Sequence, residues 1–378
     1  MPVARLLRGL ATAAAVIAVC GSSACTNDEP GPSTTSVPSA FPSSGTTAGP
    51  ASSGDVRPTP AAARPGIAGD AGKCTYKTYG GAGVPKLDLK SAKLGFAQSD
   101  VHGTAFRAAQ TESMKNEAKR LGYTLVVSNA AGALEQQISD IKEMVADDVK
   151  AIIVSPVSSD GLQPALDDAK AHTVPVFTVD RMLADSFDPC DSYIGYAGSD
   201  PLDQGKRAAA ALIRATRGSA KAVTLLGPAA AGQDDLNAGF RAVIASEPGI
   251  EVLAEQAGNF TRGDGQKAIE QLLRLHPDIT AIYAQNDELA LGAKAALQGA
   301  ERPPGDTQIV TIGGTRDAMR QIIDGWIFSM IESNPRLGPI TFASLDAFYN
   351  DNGVALKQVV PAAEFTRTNA EAAVAGAY

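Results

Sequence analysis

From Lys93 onward, short apolar runs alternate with segments whose apolar residues recur at helical spacing. The runs KLGFAQ, YTLVVSN, VKAIIVSP and VPVFTVDR are separated by AFRAAQTESMKNEAKRLG, ALEQQISDIKEMVADD and LQPALDDAKAHT. Continuous apolar strands, each followed by an amphipathic helix, predict a parallel sheet covered on both faces. The same order then repeats as KAVTLLG, LNAGFRAVIASEPG, IEVLAEQAG, GDGQKAIEQLLRLHPD, ITAIYAQND, LALGAKAALQGA and TQIVTIGG. The chain is therefore expected to form two similar α/β lobes.

In such sheets ligands sit beyond the carboxyl ends of the strands. Polar residues gather at these ends: Gln98 after the first strand, Ser155 after the third, Asp180 and Arg181 after the fourth, and Asn286 with Asp287 after ITAIYAQ. An Asp or Asn in that place is as often a helix cap or turn former, and NDELALGA does read as a capped helix start. Recurrence in both halves favours a ligand site.

Upstream of the repeat the pattern changes. Arg5 and Arg8 precede an apolar run, Leu10 to Val19, too short to span a bilayer but suited to a secretory signal, so the chain is expected to be exported. Residues 1–25 end as bacterial lipoprotein signals do, with Ala24 immediately before Cys25, although Ser22 stands where an aliphatic residue is usual. Cys25 is the expected lipid site, with plain cleavage or use of Cys20 the alternative, and the lipid would hold the protein on the outer face of the cytoplasmic membrane. Residues 26–85 are rich in Ser, Thr, Pro, Ala and Gly and read as a disordered tether. In an exported chain the remaining pair, Cys74 and Cys190, can form one bridge, which would pin the end of the tether to the first lobe. Two unpaired thiols are the alternative.

Composition narrows the function. With 378 residues, 44% hydrophobic content and a net charge of −8, the chain can build two cores and shows no basic footprint for nucleic acid. The three histidines, His102, His172 and His276, lie far apart without metal-ligand spacing. Neither a nucleophile elbow nor a phosphate or dinucleotide loop is present. A carboxylate pair made of Asp180 with Asp287 or Glu332 would suit a glycosidase, but Arg181 beside Asp180 would hold that acid ionised. A binding protein without cofactor or metal is the expectation.

Four stretches, GFAQSDVHGTAFRAAQTESMKNEAKRLG, AIIVSPVSSDGLQPALDDAKAHTVPVFTVDR, GNFTRGDGQKAIEQLL and YAQNDELALGA, resemble the periplasmic sugar-binding proteins of ABC importers, in the ribose and galactofuranose cluster. The resemblance runs from about Lys93 to Tyr378. It implies a type I periplasmic-binding-protein fold, with two Rossmann-like lobes, parallel sheets, a three-strand hinge and a ligand cleft between the lobes. The lobes would be 86–199 with 333–360, and 200–332 with 361–378. DNA-binding repressors that share this lobe pair would need an N-terminal helix-turn-helix, where this chain carries an export signal.

Function and site follow from the same resemblance. The implied protein is a monomer that captures a small carbohydrate by lobe closure and delivers it to an ABC permease. A carrier that presents the sugar to a membrane receptor is the alternative, and a carbohydrate-processing enzyme the third class. Asp180, Arg181 and Asn286 would bond the sugar hydroxyls and Phe106 and Phe260 would stack on its faces. Arg107, Gln98 and Ser155 would complete the first-lobe side, and Glu332 would close from the third crossover. Two positions depart from the family: Leu236 stands where an Arg is usual and Gly313 where an Asp is usual. Either Asp234, Asp235, Arg316 or Asp317 compensates, or the ligand is a modified or less polar sugar or polyol.

Overall fold

The computed structural model describes residues 73–100, 104–228 and 233–378. The expected export signal, Cys20, Cys25, the expected tether up to residue 72 and His102 lie outside the described residues.

Strand Lys93–Gln98 is apolar along most of its length because it is covered on both faces and flanked on both edges; five of its six residues are buried. Its sheet runs in the order Lys357–Val359, Gly195–Gly198, Val176–Val179, Ala151–Val154, Lys93–Gln98, Thr124–Asn129, with every pairing parallel. Met114 and Ala118 of helix Ala105–Leu121 pack on one face with Phe342 and Leu345 of helix Gly338–Tyr349. Ile141 of helix Leu134–Ala146 and Leu166 of helix Gln163–Ala171 fill the other.

The second sheet has the order Glu364–Thr366, Ile327–Glu332, Gln308–Gly313, Ala281–Ala284, Ala220–Leu226, Ile250–Ala257. All its pairings are parallel except that of the edge strand Glu364–Thr366 with Ile327–Glu332. Helices Arg262–Leu275, Asp287–Gly299 and Arg316–Ile323 cover one face. Helices Pro201–Thr216 and Gln233–Ile244 cover the other. The chain passes between the sheets three times, after Gly198, after Glu332 and after Val359.

Two elements depart from the sequence pattern. Strand Gly195–Gly198 carries no apolar run because its neighbours leave no room: a Cβ on Gly195 would lie 2.9 Å from the Ala355 carbonyl oxygen, and one on Gly198 2.1 Å from the Tyr196 hydroxyl. Helix Pro201–Thr216 is capped by Asp200, which accepts from the Asp203 N–H at 3.1 Å, and starts on a proline. It packs backbone to backbone on helix Gln233–Ile244: a Cβ on Gly205 would sit 2.1 Å from the Leu236 carbonyl oxygen.

The last part of the expected tether, residues 73–85, is ordered. Lys73–Cys74 pairs antiparallel with Val354–Ala355, and Cys74 is bonded to Cys190 with a Cα–Cα separation of 5.3 Å. Tyr79 is buried edge-on against Phe348, and its hydroxyl donates to the Ser192 carbonyl. A segment of small and polar residues thus folds because one tyrosine and one cysteine supply what its composition lacks.

Candidate ligand-binding site

The strand-to-helix turns at the carboxyl ends of both sheets open on a cavity of about 400 Å³, within the range of small-molecule sites. Phe106, Arg107, Asp180 and Arg181 line it from the first lobe; Leu236, Phe260, Asn286, Gly313 and Tyr378 line it from the second.

On the first-lobe wall the helix cap sets the geometry. Thr104 accepts from the Arg107 N–H at 3.2 Å, which places Phe106 and Arg107 in the first turn of helix Ala105–Leu121. Nη1 of Arg107 lies 2.7 Å from Oδ2 of Asp180, and also donates to Ser155 Oγ at 2.8 Å and Gln110 Oε1 at 2.9 Å. Asp180 follows strand Val176–Val179 in a left-handed conformation, φ 68°, held by its N–H to the Ala197 carbonyl and by the Tyr196 hydroxyl on its own carbonyl. That turn is what aims its carboxylate at Arg107. Arg181 donates to the carbonyls of Pro156 and Val157 at 3.1 and 2.8 Å. Burial, then the nearby Arg107, push its pKa down to about 10, against the pull of Asp180.

These contacts correct the sequence reading in several places. The partner of Asp180 is Arg107; Arg181 is 4.0 Å from that carboxylate and spends Nη1 on backbone. Gln98 and Ser155 are fully buried and lie behind the cavity wall. Gln98 bonds Gln110, Thr111 and Ser99, while Ser155 accepts from Arg107. Ser155 holds the guanidinium directly and Gln98 acts through Gln110, because side chains at strand ends alternate between faces and theirs turn toward helix Ala105–Leu121. The Glu332 carboxylate accepts from the Ala363 N–H at 2.9 Å and ties the second and third crossovers together, away from the cavity lining.

The second-lobe wall is mostly uncharged. Asn286 serves both roles considered for it: its Oδ1 caps helix Asp287–Gly299 through the Leu289 N–H at 2.8 Å, and the residue lines the cavity. Its Nδ2 is the group left to meet a ligand. Asp287 is buried and accepts from the N–H groups of Gly314 and Thr315 at 3.1 and 2.9 Å. Burial raises its pKa, and those two bonds partly oppose the shift. Leu236 and Gly313 reach the cavity, whereas none of Asp234, Asp235, Arg316 and Asp317 lines it. An Asp at position 313 would not fit unaided, since its Cβ would come 2.5 Å from Asp287 Oδ2.

Tyr378 was not found by sequence reasoning. Its ring stands edge-on to Phe106, centroids 5.9 Å apart, so two aromatics from different lobes meet in the cleft. Burial and then the carboxylates of Asp287, Glu332 and Asp180 hold its phenol pKa well above the ordinary value, so the hydroxyl keeps its proton.

Residues 95–348 match the family described as the periplasmic binding protein domain. The chain belongs to this family. Among its relatives is the galactofuranose-binding protein YtfQ of Escherichia coli K12, 30% identical over 68% of this chain and 82% of that protein. Among solved structures, the periplasmic binding protein component of the arabinose ABC transporter from Shewanella sp. ANA-3, bound to α- and β-L-arabinofuranose, is 31% identical. It superposes with a TM-score of 0.71 over 75% of this chain and 95% of that one. A Mycobacterium smegmatis protein in complex with β-D-fucofuranose is 32% identical, with a TM-score of 0.70 over 75% and 94%. Two α/β lobes with largely parallel sheets and a cleft at the strand ends are the type I architecture of periplasmic binding proteins. The cavity of this member lies at the carboxyl edge of each sheet.

Proposed function

We propose that the protein captures a small carbohydrate in the cleft and delivers it, chemically unchanged, to an ABC-type permease. The observation that carries this reading is the triad of Arg107, Asp180 and Arg181 on one wall opposite Asn286 on the other. A sugar hydroxyl both donates and accepts, so a rim of carboxylate, guanidinium and amide can satisfy it from both sides. Phe106 and Phe260 offer aromatic surface to its C–H faces. Three relatives carry a furanose sugar in their names or complexes, which supports a five-membered ring as the ligand form. Closure would move residues 86–199 with 333–360 against 200–332 with 361–378, around the three crossovers.

A thermal-shift screen tests the reading with pentoses, hexoses, deoxysugars and polyols against amino acids and nucleosides as controls. Carbohydrates alone should raise the melting temperature, by the mass-action term of about 2.7 kcal/mol at a hundredfold excess over Kd. A response to controls and to no carbohydrate would overturn it.

Membrane attachment through Cys25 belongs to the same reading, with the Ser/Thr/Pro-rich tether as reach to the permease and a monomer as the working unit. Cys25→Ser should move the protein from the membrane fraction to the soluble fraction on ultracentrifugation. Retention in the membrane fraction would assign the lipid to Cys20.

A further inference from the structure

The end of strand Gln308–Gly313 meets the cleft with two successive residues that lack side chains, Gly313 and Gly314. Two other groups occupy that bare surface. Asp287 covers Gly313 and is engaged by backbone N–H groups. The Tyr378 ring covers Gly314, where a Cβ would lie 2.6 Å from its Cε1. Tyr378 is seated by its backbone: its N–H donates to the Gly314 carbonyl at 3.2 Å and its carbonyl accepts from the Arg316 N–H at 2.9 Å. From this seat the ring crosses to Phe106 of the other lobe. Ile312, the residue before Gly313, and the Tyr378 ring give this corner of the cavity apolar surface. Asp287 also lines the cavity, its Oδ2 taken by the Gly314 and Thr315 N–H groups, and the Arg107–Asp180 pair lies on the first-lobe wall.

We propose that Tyr378 is a specificity-determining residue whose ring selects sugars that turn a deoxygenated carbon, rather than a hydroxyl, toward the end of strand Gln308–Gly313. The inference rests on the carbohydrate reading above. A hydroxyl pressed against the face of the Tyr378 ring would lose water without gaining a partner there, whereas a CH₂ or CH₃ group would gain contact. An apolar pocket rejects an added hydroxyl by up to about a hundredfold.

The test titrates matched pairs, D-fucose against D-galactose and 2-deoxy-D-ribose against D-ribose, into the full-length protein and the variants Tyr378→Phe, Tyr378→Ala and Gly314→Ala. In the pair that binds, wild type and Tyr378→Phe should favour the deoxy member by about tenfold or more. Tyr378→Ala removes the ring and Gly314→Ala unseats it; both should bring the two affinities within about threefold. Equal affinities in wild type, or a preference that survives in both alanine variants, overturns the role of Tyr378 and leaves the carbohydrate reading standing. Failure of wild type to bind any sugar overturns that reading, and the inference with it.

Discussion

Asp180→Ala should lower sugar affinity by about a hundredfold to ten-thousandfold. The carboxylate can accept from two neighbouring hydroxyls, and each such charge-assisted bond contributes about 1.5–3 kcal/mol when sheltered from water. The loss extends to Arg107, whose guanidinium is buried and would keep Ser155 and Gln110 as neutral hydrogen-bond partners but lose its counter-charge. Breaking one member of a buried pair is strongly destabilising because the other charge stays behind. The left-handed backbone at φ 68° adds about 1–2 kcal/mol when alanine replaces aspartate. Asp180→Asn separates these effects, since asparagine tolerates the same backbone and retains one acceptor. It should be less stable than wild type, since the Arg107 charge is left without its counter-charge, but more stable than Asp180→Ala, and should still lose about tenfold or more in affinity. Calorimetric titration with the tightest-binding sugar of the screen measures both variants; an Asp180→Ala affinity within threefold of wild type would remove the triad from the site.

The second large effect concerns stability. Cys74 and Cys190 are 116 residues apart, and closing a loop of that size stabilises a fold by about 4.7 kcal/mol in the chain-entropy model, with measured values of about 2–5 kcal/mol. The double variant Cys74→Ser, Cys190→Ser should therefore melt about 5–15 °C lower by scanning calorimetry. Neither cysteine lines the cavity, so sugar affinity below the transition should stay within about threefold of wild type. An unchanged melting profile would mean that strand pairing with Val354–Ala355 and the buried Tyr79 hold residues 73–85 without the bridge.

The alternation of apolar runs and amphipathic segments made the two sheets legible. Strand Lys93–Gln98 spans the same residues as the run KLGFAQ, since a strand buried on both faces must be apolar throughout. Strand Gly195–Gly198 was not legible, because its glycines answer to close neighbours and leave no hydrophobic trace. The site divides in the same way. Asp180, Arg181 and Asn286 could be read from their places after strands, where topology alone sets a cleft. Their partners could not: the adjacency of Asp180 and Arg181 suggested a pair, yet the left-handed turn at Asp180 aims its carboxylate at Arg107, which arrives from another element. Tyr378 follows the small-residue stretch AAVAGA with no periodicity to mark it, and only the fold brings it to Phe106.

Isothermal titration of the purified protein with L-arabinose, D-galactose, D-fucose and D-ribose tests the central claim most directly. At least one should bind saturably, one molecule per chain, with Kd at or below about 10 μM, and be recovered unchanged after the titration. Flat titrations for all four at about millimolar sugar, or conversion of any of them into a product, would contradict a carbohydrate-capturing cleft.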